Sequence, residues 1–248
     1  MNYGKEFYAS YPETYMGDLL SGEIIRQVGT HIRGNVLEIG AGTGKMLNAM
    51  SNLKNVCSCT GIDICPKSDK VREASAENIP CVDNIFETVI MLATLEHMDD
   101  ITISKSLDEI YRVMAEGGKL IITVPYQEDF NTNRVCCPEC SAVFHRYGHV
   151  QNFTENSILV LLWEHNFRVT TMYHAEIGFM SAHPYLRPLM PIIRMFGFFK
   201  GNELIVCIAQ KDKSWGLKIT KTTNSIIFVV ICFLLIIYMY LWIPILYS

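Results

Sequence analysis

The chain has 248 residues, nine cysteines and a formal net charge of −4, and half of its residues are hydrophobic. That length suits one α/β domain with an appendage, and the acidic balance leaves no basic footprint for nucleic acid. The cysteines are scattered, most of them in strand-like apolar runs (Cys57, Cys59, Cys207), which argues for reduced thiols in a cytoplasmic domain rather than a disulfide framework.

Residues 1–33 read as an N-terminal helical cap. Aromatics come first (Tyr3, Phe7, Tyr8, Tyr11, Tyr15), then Leu19, Leu20, Ile24, Ile25 and Val28 recur at helical spacing over Asp18 to Val28. From Val36 an apolar run passes Glu38 into Gly40-Ala41-Gly42-Thr43-Gly44, and Met46, Leu47 and Met50 continue at helical spacing. This is a buried strand, a tight turn and a helix start, a junction at which nucleotide-like ligands sit in α/β sheets. A dinucleotide fingerprint needs its third glycine one residue later, and a P-loop needs glycine where Ile39 stands and Ser or Thr where Met46 stands. Both fail on spacing. The next strand, Val56 to Ile62, ends in Asp63, about twenty residues beyond the turn, where a carboxylate can accept bonds from both ribose hydroxyls.

What remains, Glu38-x-Gly40-x-Gly42-x-Gly44, resembles the first motif of class I S-adenosylmethionine-dependent methyltransferases. Two later stretches are similar to the same family: Ser75-Ala76-Glu77-Asn78-Ile79-Pro80 before the strand Phe86 to Leu92, and Leu95-Glu96-His97 with Asp99 and Asp100 after it. The resemblance implies a Rossmann-like, doubly wound, mostly parallel seven-stranded α/β sheet with an antiparallel last strand. It implies a cofactor site of Glu38, Gly40, Ala41, Gly42, Gly44, Asp63, Ile64, Ala76, Glu77 and Leu92, and an N-terminal tyrosine, Tyr11 or Tyr15, approaching the sulfonium. The chain departs from the family pattern at Ser75, where an aspartate often reaches the adenine, and at Cys81 and Glu87.

The remaining elements follow in order. The connection Cys65 to Lys70 is too short for a full helix, and Val71 to Ala74 makes a short strand. A helix from Ile101 to Met114 stops at Glu116-Gly117-Gly118, before the strand Lys119 to Val124. Residues 131–153 hold Cys137, Cys140, His145 and His149, a Cys-x2-Cys and a His-x3-His pair that predict a tetrahedral zinc set; a metal-free substrate loop and a redox pair are the alternatives. His97 and His149 are the candidate general bases or substrate contacts, with plain packing as the other reading. Thr154 starts a helix, Arg168 to His174 and Glu203 to Gln210 are the closing strands, and 177–200 is a hydrophobic insertion with Arg187, Arg194 and Lys200. The methyltransferase domain thus spans 34–210.

A basic linker, 211–225, leads into a stretch without charge from Thr222 to Ser248. Its eighteen residues from Ile226 to Ile243 span about 27 Å as a helix, near the hydrocarbon thickness of a bilayer. A transmembrane helix over 226–247 is the expectation. Lysines precede it and nothing basic follows, which places the domain in the cytoplasm. The function expected is methyl transfer to a small-molecule or lipid-linked acceptor at the cytoplasmic membrane face. The alternative is a catalytically silent cofactor-binding scaffold or regulatory subunit of a membrane enzyme.

Overall fold

The computed structural model describes residues 5–10, 16–190, 192 and 203–212. The chain divides into Met1–Lys211 and Asp212–Ser248. The charge-free run, most of its basic approach and most of 191–202 lie outside the described residues, as do Tyr3, Tyr11 and Tyr15. Among the described residues no helix is long and apolar enough to cross a membrane.

Seven strands form one sheet: β1 (Gly34–Ile39), β2 (Val56–Asp63), β3 (Val71–Glu73), β4 (Phe86–Leu92), β5 (Met114–Pro125), β8 (Phe167–Ala175) and β9 (Leu204–Lys211). Their order is β3-β2-β1-β4-β5-β9-β8. The pairs from β3 to β5 are parallel, whereas β9, the last strand, runs antiparallel to β5 and to β8. From β1 the chain winds outward through β2 and β3, then returns to place β4 on the other side of β1. The carboxyl ends of β1 and β4 are therefore the switch point of the topology, where open α/β sheets bind ligands.

Side chains alternate across each strand, so a strand covered on both faces reads as continuous apolar sequence. In β4, Val89 and Met91 enter one core and Ile90 and Leu92 the other. The first core is closed by α4 (Asp100–Val113) and α5 (Glu155–Glu164), through Ile103, Leu107, Ile110, Ile158 and Leu162. The second is closed by α2 (Met16–Val28), α3 (Lys45–Met50) and α6 (Ile177–Ala182), through Ile24, Val28, Met46, Leu47, Met50 and Ile177. Each such aliphatic side chain contributes about 1.5–3 kcal/mol when fully buried. The sheet is thus held from both faces.

Several boundaries differ from the sequence reading. Glu116-Gly117-Gly118 is not a stop between helix and strand. Helix α4 runs straight into β5, and the glycines lie within that strand, with Gly117 at φ +70° and a register shift opposite Phe86 to Thr88 absorbing the extra residues. Lys211, assigned to the linker, instead ends β9 and is buried. Its Nζ donates to the Met114 carbonyl at 2.6 Å and to Asn84 Oδ1 at 2.8 Å, over the Tyr111 ring. No helix fills the connection from β2 to β3, as its length requires. In place of a helix after β5 the chain makes a small hairpin, β6 (Arg134–Cys136) and β7 (Val143–His145).

Candidate cofactor and acceptor site

The glycine turn leaves β1 at Ile39, and Gly40, Gly42 and Gly44 sit at φ +77°, +48° and +74°. At Gly40 nothing larger fits: a Cβ there would stand 2.5 Å from Thr94 Oγ1 and 2.9 Å from its Cγ2. The turn is tied to β2, since the Gly40 and Ala41 N–H groups both donate to the Ile62 carbonyl, at 2.9 and 3.0 Å. Asp63 Oδ2 accepts from Gly42 N at 2.9 Å, and Oδ1 from Cys65 N at 2.7 Å. Asp63 therefore fixes the glycine turn against the loop that follows β2, and each oxygen keeps a further acceptor direction. Ile64 beside it is exposed, whereas Glu38, Ala41, Ala76 and Leu92 are buried.

The segment that the resemblance sets beside adenine is anchored from α4. Glu109 accepts from Ile79 N at 2.8 Å, and Arg112 donates to the carbonyls of Ile79 and Cys81, both at 2.9 Å, and to Asp83 at 2.6 Å. Arg112 and the Ile79 N–H hold the Glu109 carboxyl below the usual range, burial opposing them. Glu77 is turned toward Lys105 at 3.2 Å.

A buried polar cluster stands at the same sheet edge. The turn after β4 passes Ala93 at φ +48°, a strained position for a residue with a side chain, and then makes one 3-10 turn, Leu95–His97. Thr94 Oγ1 lies 3.3 Å from the Ile39 carbonyl, so Glu96 and His97 follow directly on the glycine turn. The segment after the hairpin is pinned there too: Val150 N and Gln151 N donate to the Glu96 carbonyl at 2.8 and 3.2 Å. His97 Nδ1 reaches the Gly148 carbonyl at 3.3 Å and His149 Nδ1 reaches Glu128 Oε2 at 2.5 Å, while His145 Nε2 is 3.3 Å from Glu128 Oε1. The rings of His97 and His149 meet edge to face at 4.8 Å. Tyr8, on the short helix α1 (Lys5–Ala9), packs edge-on against His97 at 5.6 Å.

Burial sets the charge states. It pushes the Glu96 carboxyl up to about 7 against the pull of His149. It pushes His97 down to about 4, with His149 adding to the effect. His97 is thus held in its neutral form. Burial also opposes the charge of Glu128, but hydrogen bonds from His149 and Asn133 outweigh it and hold that carboxyl low.

The Cys2His2 set is not assembled. Cys137 and Cys140 lie at the tip of the β6–β7 hairpin, where Ser141 N donates to the Cys137 carbonyl at 2.9 Å, while His145 is at its base, paired with Arg134. Among the described residues, those within ligand range in groups of three are Glu96–His97–His149 and Glu128–His145–His149, and neither group contains a cysteine. Sequence reasoning named three of these histidines, yet missed Glu96, Glu128 and Tyr8. Glu96 lies in the Leu95-Glu96-His97 stretch, where its sequence gives no sign of its burial; Glu128 belongs to no motif at all.

Sheet order and turn geometry together define the Rossmann-like α/β fold of the class I methyltransferase type. The profile of the methyltransferase domain family matches residues 14–172, more than half the chain, and the chain belongs to that family. An uncharacterised protein of Methanocaldococcus jannaschii is 30% identical over 106 residues, which cover 40% of this chain and 48% of that protein, so the chain spans about half the length of the curated relative it matches. Among solved structures, a methyltransferase of Methanosarcina mazei is 19% identical, with a TM-score of 0.53 over 75% of this chain and 96% of that one. The 1,6-didemethyltoxoflavin-N1-methyltransferase of Burkholderia thailandensis, solved with its substrate and S-adenosylhomocysteine, is 14% identical, with a TM-score of 0.52 over 79% of each chain. At such identities the likeness shows the fold.

Proposed function

We propose that the protein transfers a methyl group from S-adenosylmethionine to a small or lipid-linked acceptor at the cytoplasmic face of a membrane. The observation that carries the first part is the left-handed glycine turn tied to Asp63 at the switch point of the sheet, with a buried polar cluster at the adjoining edge. The residues fit the cofactor: Gly40, packed directly on Thr94, holds the turn in its left-handed course, and Asp63 offers a carboxylate toward the side where ribose hydroxyls need an acceptor. When bound, the cofactor supplies an electrophilic methyl group on sulfur and a neutral thioether as leaving group. The protein's part is alignment and exclusion of water. Glu38 to Gly44 fix the backbone, the 76–81 segment bounds the adenine end, and Tyr8 over His97 covers the acceptor end. His97 and His149 bring imidazoles, and Glu96 a carboxylate, to the place where an acceptor heteroatom has to stand.

The membrane part rests on the charge-free run near the C-terminus and on exposed Tyr185, Leu189 and Ile192 flanking Arg187, a pattern suited to an interface. The test is calorimetric titration of the full chain in detergent with S-adenosylmethionine and S-adenosylhomocysteine. Binding in the micromolar range, weakened at least about tenfold in Asp63→Asn, supports the reading; a folded chain that binds neither overturns it. Labelled methyl that reaches no component of a membrane extract overturns the lipid-linked acceptor.

A further inference from the structure

We propose that Glu96, His97 and His149 form a binding site for one divalent first-row transition ion at the acceptor end of the pocket; the role given to that ion rests on the methyl-transfer reading above.

Four observations converge on these residues. One ligand atom from each lies within 4.8 Å of the other two. Ligands about 2.1 Å from a common ion stand up to about 4.2 Å apart, so small side-chain rotations close the set. Both Glu96 carboxylate oxygens are buried without a hydrogen-bond partner, and Glu96 is only 1% exposed. A buried carboxylate whose oxygens lack a hydrogen-bond partner is costly, and an ion satisfies it. The ring nitrogens are also assigned by their partners. A carbonyl only accepts, so His97 Nδ1 carries a proton toward Gly148, and its Nε2 keeps the lone pair. His149 Nδ1 donates to the Glu128 carboxylate in the same way, leaving its Nε2 as a ligand.

The second group, Glu128–His145–His149, is excluded by the same reasoning. The His149 N–H donates to His145 Nδ1 at 3.2 Å, so His145 carries its own proton on Nε2, toward Glu128 Oε1. Glu128 Oε2 takes the N–H of His149 and Oε1 that of Asn133 Nδ2 at 2.8 Å, with His145 Nε2 3.3 Å away, so both carboxylate oxygens are already engaged. Glu128 serves as the outer carboxylate that orients a ligating histidine, and the Gly148 carbonyl does this for His97.

Two imidazoles and one carboxylate leave several positions of an ion open. An acceptor oxygen bound there, of a hydroxyl or enol, loses its proton to solvent more readily. The oxygen then attacks the methyl carbon while the carbon–sulfur bond breaks to give the thioether, so charge and atoms balance without an oxidant. The substrate class implied is an acceptor with an acidic or chelating oxygen, rather than an amine.

The test is titration of chelator-treated full chain in detergent with Co2+, followed by calorimetry and by visible ligand-field absorption, with S-adenosylhomocysteine binding measured on the same samples. The expected result is one Co2+ per chain, at least about 100-fold weaker in Glu96→Gln and His149→Asn and about tenfold weaker in Glu128→Gln. The double variant Cys137→Ser/Cys140→Ser binds as the parent does. Metal-free Glu96→Gln melts no lower than the parent, since it removes a buried carboxylate, so its lost affinity is not a folding defect. A chain that binds S-adenosylhomocysteine but no Co2+ overturns the site and leaves the methyl-transfer reading standing. Co2+ binding that survives Glu96→Gln and His149→Asn but vanishes in the cysteine double variant overturns it also. Co2+ bound as expected without S-adenosylhomocysteine upholds the site and removes its proposed role.

Discussion

Replacing Gly40 with alanine tests whether the turn is built as described. Gly40 has φ +77°, a region that costs an L-residue about 1–2 kcal/mol. The new Cβ would also stand 2.5 Å from Thr94 Oγ1, 2.9 Å from Cγ2 and 3.3 Å from Cβ. Thr94 is not free to swing aside, because its hydroxyl serves the Leu92 carbonyl at 3.0 Å and the Ile39 carbonyl at 3.3 Å. Displacing it forfeits about 1 kcal/mol of hydrogen bonding. The sum is about 2–3 kcal/mol, which for a domain of this size lowers the melting temperature by roughly 4–12 °C. A second substitution separates the two causes. Thr94→Ala removes Oγ1 and Cγ2 and leaves only the 3.3 Å contact, so Gly40→Ala in that background should recover about 1 kcal/mol. The left-handed strain stays in both. Thermal melts and urea titrations of the parent, both single variants and the double variant measure the cycle. A Gly40→Ala chain as stable as the parent, with no coupling to Thr94, would refute the geometry of the turn and with it the cofactor cradle.

Glu109→Gln probes the anchor of the 76–81 segment. The Glu109 carboxyl titrates below its unfolded value, so its stabilisation is present above about pH 4.3 and is lost as pH falls through the lower folded pKa. The stability gap between parent and Glu109→Gln should therefore be widest near neutrality and close in acid; a gap independent of pH would show that charge has no part in it. Thr154→Ala removes a hydroxyl that accepts from Ser157 N at 3.1 Å in a reciprocal capping box, and should cost about 1 kcal/mol by denaturant titration without altering cofactor affinity.

The parts of this chain that were legible in its sequence are those that local rules govern. Alternate glycines after an apolar run with an acid at the next strand's end fix a turn, because backbone angles and strand period leave few alternatives. The antiparallel last strand was legible only through the family resemblance. The polar cluster was not legible, for a geometric reason. The spacing of Cys137, Cys140, His145 and His149 suits zinc, but spacing does not say which way side chains face across a hairpin. Two residues of strand separate the tip from His145, and the histidine turns back to Glu128, which enters from a different segment. Gly117 misled in the opposite sense: an αL glycine usually ends an element, yet here a register shift lets the strand carry it.

The chain leaves the sheet through β9, which pairs along its length with β8 and almost as far with β5. Any tension that enters from the C-terminal side is delivered first to this interior strand, whose final residue is clamped by Met114 and Asn84. Ladders on both sides must shear together before the sheet opens. A tether at that end consequently loads the domain through an interior strand, three strands away from the glycine turn.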